Sequence, residues 1–165
     1  MPDYLISRTH ATTGSYEQAL QYAETAVEND PVNPSLRGNY GVMFFRNFFY
    51  DKAVEQLDLA INGGRTEEGG VITSLPLSDA PLVAEYYFTY GLALARTDQC
   101  GDALLIAQKL ETNLPDDENV VFAASEIARI CQEALDNPVV ETTETPDADE
   151  EPTEDAEEIE ITATP

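Results

Sequence analysis

The chain has 165 residues, with 8 Lys+Arg against 32 Asp+Glu and a formal net charge of −24. That length fits one domain or two small ones, and 42% hydrophobic residues are enough for a core. The charge argues against a nucleic-acid partner, which needs a basic footprint, and no apolar run is long enough for a membrane-spanning helix.

Apolar residues recur at three-to-four spacing, the helical period. The spacing predicts helices over 3–12 and 16–29, the second stopped by Asp30-Pro31. Pro34 opens a third, over 34–47, at a first-turn position where no amide donor is needed. A fourth covers 50–62. Residues 62–79 break the pattern with two glycine pairs and the apolar stretch V-I-T-S-L-P-L. This segment reads as a plain long loop or a lid. Its Val71, Ile72, Leu75 and Leu77 form either a second contact patch or packing against neighbouring helices. Pro81 opens a helix over 80–96, and two more follow over 100–113 and 117–135. The pair Asn137-Pro138 stops the last one.

Residues 139–165 hold 11 of the acids and no Lys or Arg. Built from Glu, Asp, Thr, Pro and Ala without an aromatic residue, this tail cannot bury enough apolar area to offset its ordering entropy and is expected to be disordered. The folded unit is residues 1–138, which carry −13.

An internal repeat organises that unit. Y-E-Q-A-L-Q-Y-A-E-T-A-V (16–27) aligns with Y-D-K-A-V-E-Q-L-D-L-A-I (50–61) at an offset of 34. Y-G-V-M-F-F-R (40–46) aligns with Y-G-L-A-L-A-R (90–96) at an offset of 50, so 16 residues are inserted at 62–79. Gly41 precedes Ala53 by the same twelve residues that separate Gly91 from Ala103. Ser125 follows Gly91 by 34, with Val121 and Ala128 at apolar positions, and opens a further half-unit.

A 34-residue unit of this pattern resembles the tetratricopeptide repeat family. The third unit carries Tyr87, Tyr90-Gly91, Leu94, Ala103, Ala107 and Pro115; the second carries Tyr40-Gly41, Phe44, Ala53, Leu57 and Ala60 without the closing proline. The first carries Ile6-Ser7, His10, Ala19, Ala23, Ala26 and Pro31, with a degenerate opening half. The resemblance implies an all-α, right-handed α-solenoid of three helix-turn-helix pairs. Their units are about 1–33, 34–79 and 80–116, and helix 117–135 caps the end.

The resemblance also implies a concave face, lined by the first helix of each pair, that takes up peptides. By repeat position it would hold Tyr4 and Arg8 from unit one. Unit two contributes Asn39, Val42, Phe45 and Arg46, and unit three Phe88, Leu92 and Arg96. The capping helix adds Phe122, Glu126 and Arg129. Aromatics beside arginines suit a short acidic peptide, because Arg pairs carboxylates bidentately. The alternative is that these arginines only balance acids on neighbouring helices. The Lys/Asn set of the family's chaperone-binding members is lacking, so that function is not carried over. The acidic tail could itself occupy the groove as a weak tethered ligand, or serve as a solubilising spacer.

In such a stack the end of the capping helix lies beside the turn of the preceding unit. That brings Cys131 near Cys100, either as a disulfide or as two reduced thiols. A disulfide would imply an oxidising compartment. The first residues show no secretory signal, which favours the cytoplasm by default. A chain that begins inside a repeat also fits a fragment of a larger, exported protein.

Chemistry-bearing motifs are not found. His10, the one histidine, falls at a packing position. Gly64 and Gly69 have phosphate-loop spacing but no lysine follows. No cofactor, metal or enzymatic activity is expected. The expected role is a protein–protein interaction module. The alternative is a structural spacer with no ligand of its own.

Overall fold

The structure, a computed structural model, describes residues 2–136. The acidic segment 139–165, and the expectations placed on it, lie outside the described residues. Seven helices make up most of the described chain: α1 (Pro2–Thr12), α2 (Tyr16–Asn29), α3 (Pro34–Arg46), α4 (Tyr50–Asn62), α5 (Pro81–Arg96), α6 (Cys100–Asn113) and α7 (Glu118–Asp136). Each helix boundary agrees with the periodicity to within one residue.

Local chemistry explains the starts. The Asn33 side chain accepts from the Ser35 amide at 3.1 Å, with Pro34 at the first helical position. Asp117 does the same for α7, its Oδ1 accepting from the amides of Asn119 at 2.9 Å and Val120 at 3.2 Å. Both satisfy amides that a helix start otherwise leaves unpaired.

The three turns inside the pairs share one geometry. Gly14, Phe48 and Asp98 have φ of +79°, +64° and +59°. The next amide in each turn reaches back five residues: Ser15 to the carbonyl of His10, Phe49 to that of Phe44, and Gln99 to that of Leu94. This is the left-handed helix stop that reverses the chain, and it recurs with the repeat spacing.

Consecutive helices pack as antiparallel pairs, α1 with α2, α3 with α4, and α5 with α6. Each second helix also packs on the next first helix, and the first helices touch one another in the order α1, α3, α5, α7. Close approach depends on small side chains. Ala19, Ala53 and Ala103 are fully buried. A Cβ added at Gly41 would lie 2.5 Å from Cγ of Leu57. Ser7 takes the glycine position in the first unit; its buried hydroxyl donates to the Ala19 carbonyl at 2.7 Å. His10 stacks on Tyr22 with ring centroids 5.4 Å apart, a packing role.

The insertion differs from the all-helical expectation. Gly64–Arg65 (β1) and Val71–Ile72 (β2) pair antiparallel, with Gly64 opposite Ile72. The Thr66 hydroxyl accepts from the Gly70 amide and closes the loop between them. Beyond β2 the segment is tied to the helices. The Leu75 amide donates to the Ala60 carbonyl at 3.0 Å, and the Tyr87 hydroxyl donates to the Leu75 carbonyl at 2.9 Å. Ile72 is buried, and Leu75 and Leu77 pack against the core, so only Val71 of the four apolar residues stays exposed. The apolar residues therefore close the gap between α4 and α5 rather than form a contact patch.

Cys100, at the start of α6, and Cys131, on α7, form a disulfide with their Cα atoms 5.5 Å apart. The bridge fastens α7 to the third pair. No helix among the described residues is long and apolar enough to cross a membrane.

Candidate peptide-binding face

The first helices bring two of the expected residues, Arg8 and Arg46, to one cluster around a carboxylate that sequence reasoning did not single out. Arg8 on α1 donates to Glu85 on α5 at 2.7 Å, and Arg46 on α3 lies 3.7 Å from the other oxygen of the same carboxylate. Glu85 is only 15% exposed, while Arg8 and Arg46 are 30% and 45% exposed. Arg46 also stands over the Tyr16 ring, 5.8 Å from its centroid. The signal for Glu85 was present: it lies one helical turn before Phe88 and two before Leu92, on the same stripe of α5.

A second cluster sits on the capping helix. Arg129 donates to Glu126 at 2.8 Å and to Glu133 at 2.6 Å. Hydrogen bonding from Arg129 holds the Glu126 carboxyl below its usual value, with the charges of Arg129 and Arg96 acting in the same direction. Arg96 closes α5 and is exposed.

Two expected groove residues are not on the surface. Asn39 is fully buried; its Nδ2 donates to the Ser7 hydroxyl at 3.0 Å, so the side chain is turned to α1. Val42 is 1% exposed and belongs to the main core. Tyr86 also reaches across from α5 and fills the space at Gly38, where an added Cβ would lie 2.5 Å from the ring. Its hydroxyl donates to the Ser35 carbonyl at 3.0 Å, so a tyrosine of the third unit covers the middle of α3. Tyr4, Phe45, Phe88 and Leu92 are half-buried, and Phe122 is 68% exposed.

Two depressions adjoin these residues. One of about 470 Å³ lies beside Arg46 and is lined by Tyr16, Gln18, Asn47 and Phe48 on the side of the turns. Another, of about 400 Å³, lies under Val121 and Phe122 at the start of α7. Among the described residues no group of three or more His, Cys, Asp or Glu side chains is placed to hold a metal ion.

No family model matches the sequence, and no curated protein matches it. Solved structures do match the fold. The second TPR domain of human RPAP3, solved in complex with the HSP70 peptide SGPTIEEVD, superposes with a TM-score of 0.57 at 16% identity, covering 76% of this chain and 92% of that one. The first TPR of Spaghetti (RPAP3), bound to the HSP90 peptide SRMEEVD, gives 0.58 at 18% identity, covering 82% and 94%. The repeat spacing, the recurrent left-handed turns and these superpositions agree: the chain has the tetratricopeptide repeat fold.

Proposed function

We propose that the protein is a non-enzymatic interaction module that receives a short acidic peptide on the face formed by its first helices. The observation that carries this reading is the Arg8–Glu85–Arg46 cluster. Two partly exposed guanidinium groups from different repeats converge on one carboxylate. That geometry suits an incoming carboxylate, with Glu85 as the group it must displace or bridge. Tyr4, Phe45, Phe88, Leu92, Arg96, Phe122 and Arg129 would contribute further contacts along the same face. The structural neighbours solved with peptides ending in EEVD support the peptide class. Residues 1–138 would form the module, in repeat units of 1–33, 34–79 and 80–116 with the cap at 117–135. The tail 139–165 would act as a tethered competitor for the arginines. The Cys100–Cys131 bridge favours an oxidising compartment for the module.

A second reading, a spacer without a ligand, draws on the same contacts. Arg8, Arg46 and Arg129 already face acids of the fold. Titration of fluorescent SRMEEVD into the full chain, the chain without residues 139–165 and an Arg46→Ala/Arg96→Ala double variant separates the two. Saturable binding that strengthens without the tail and is lost in the double variant supports the module. Absence of binding to every form leaves the spacer.

A further inference from the structure

Helix α7 occupies the place of a first helix in a fourth unit. At the repeat offset of 34, Val121, Ser125 and Ala128 stand where α5 has Tyr87, Gly91 and Leu94. In α5 all three are buried. Helix α6 comes so close to Gly91 that an added Cβ would lie 3.1 Å from Cγ2 of Ile106. In α7 the same three positions are exposed, Val121 at 45%. The neighbouring second helix shows the same uncovering. Leu104 of α6 is 44% exposed, whereas its repeat counterparts Leu20 and Val54 are half-buried. The depression under Val121 and Phe122 lies on this face.

The rest of the molecule shows what covers such a face. In each complete pair it is an antiparallel amphipathic helix bearing a fully buried alanine, Ala19, Ala53 or Ala103. The charges of α7 add a second requirement. A helix antiparallel to α7 would end beside Asp116, Asp117 and Glu118. Its C-terminus carries partial negative charge, so it must bring Lys or Arg in its last turns to avoid repulsion. Arg129 does not supply that charge, because it lies toward the other end of α7, paired with Glu126 and Glu133.

We propose that the Val121–Ser125–Ala128 face of α7 docks an amphipathic helix of a partner protein. The helix runs antiparallel to α7, places a small residue against Ser125 and carries basic residues near its C-terminus. This surface adjoins the proposed peptide face at Phe122 but contains none of Arg8, Arg46 and Glu85, and it does not depend on peptide binding there.

The test uses the full chain and a side-chain-stapled helical peptide of the α4 sequence, Tyr50–Asn62, carrying Asp58→Lys and Asn62→Lys. Saturable binding is expected, with amide shift changes centred on Val121, Ser125 and Ala128. The unsubstituted peptide should bind at least tenfold more weakly. Ser125→Arg and, independently, Ala128→Glu should each weaken binding at least tenfold; both positions are exposed, so the fold survives. Arg46→Ala/Arg96→Ala should leave it unchanged. Four results overturn the proposal: no saturable binding, equal binding of the two peptides, loss only in the arginine double variant, or a dimer of the free chain that Ser125→Arg dissociates, which would make a second copy the occupant.

Discussion

Arg8 and Glu85 are joined at 2.7 Å although 77 residues separate them in the chain. The pair links the first unit to the third across the second, and Arg46 of that second unit completes the cluster. One carboxylate therefore joins three repeats and engages both arginines.

Replacing Glu85 by Gln keeps the side-chain volume and leaves both guanidinium groups without a carboxylate. Affinity for an acidic heptapeptide should rise roughly three- to tenfold, while the fold loses about 1 kcal/mol, the scale of a partly exposed ion pair. Calorimetric titration reads the first effect and urea denaturation the second. Lower stability with no gain in affinity would assign the arginines to the fold alone.

The Cys100–Cys131 bridge closes a loop with a sequence separation of 31. Cys131→Ala should cost about 3–4 kcal/mol in the chain-entropy account of cross-links. Loss should show first at the end of the stack, as faster amide exchange in α7 than in α3 or α5. Thiol titration of the unfolded native protein should find no free thiol; two would show that the bridge does not form.

Phe48 holds a left-handed backbone with φ of +64° and is 77% exposed, while the equivalent turn residue of the first unit is glycine. A left-handed L-residue costs roughly 1–2 kcal/mol, and glycine returns about 0.5–1 of that as unfolded-state entropy. Phe48→Gly should therefore stabilise the protein by about 0.5–1 kcal/mol, seen as a higher denaturation midpoint at unchanged slope. Destabilisation would mean that the Phe48 ring, set edge-on against Tyr50, contributes more than the backbone costs.

Glu126 titrates below its ordinary value of 4.5, because Arg129 hydrogen-bonds its carboxylate. A lowered folded value means that the unfolded chain takes up the proton first. The contribution is thus fully present above the ordinary value and disappears as pH falls through the lowered one. Carboxyl-carbon NMR should place Glu126 below the other exposed glutamates, and Arg129→Gln should return it to them. High salt should narrow the gap, since the pair is open to solvent.

The helices were legible from local signals: apolar residues at three-to-four spacing, Pro34 and Pro81 at first-turn positions, and stops such as Asp30-Pro31. The repeat was legible because Gly41, Gly91 and the alanines Ala19, Ala53 and Ala103 mark where helices touch. The hairpin at 64–72 was not. Two-residue strands leave no period to detect, and their pairing is set by Thr66 closing the loop and by Ile72 finding a buried place. Groove membership was only partly readable. Repeat position put Asn39 and Val42 on the open face, yet Asn39 turns to Ser7 of α1 and Val42 joins the main core.

Charge tells the same story at two scales. The sequence by itself determined an acidic chain, helices at regular intervals and a 34-residue unit, because those properties are sums or local periods along the chain. Which arginine meets which acid was decided only by the fold. Arg8, Arg46 and Glu85 are remote in sequence and become neighbours because the first helices α1, α3 and α5 stack side by side. The uncovered face of α7 has the same origin. Val121, Ser125 and Ala128 are exposed there not for their own chemistry, but because no described helix packs where α6 covers α5.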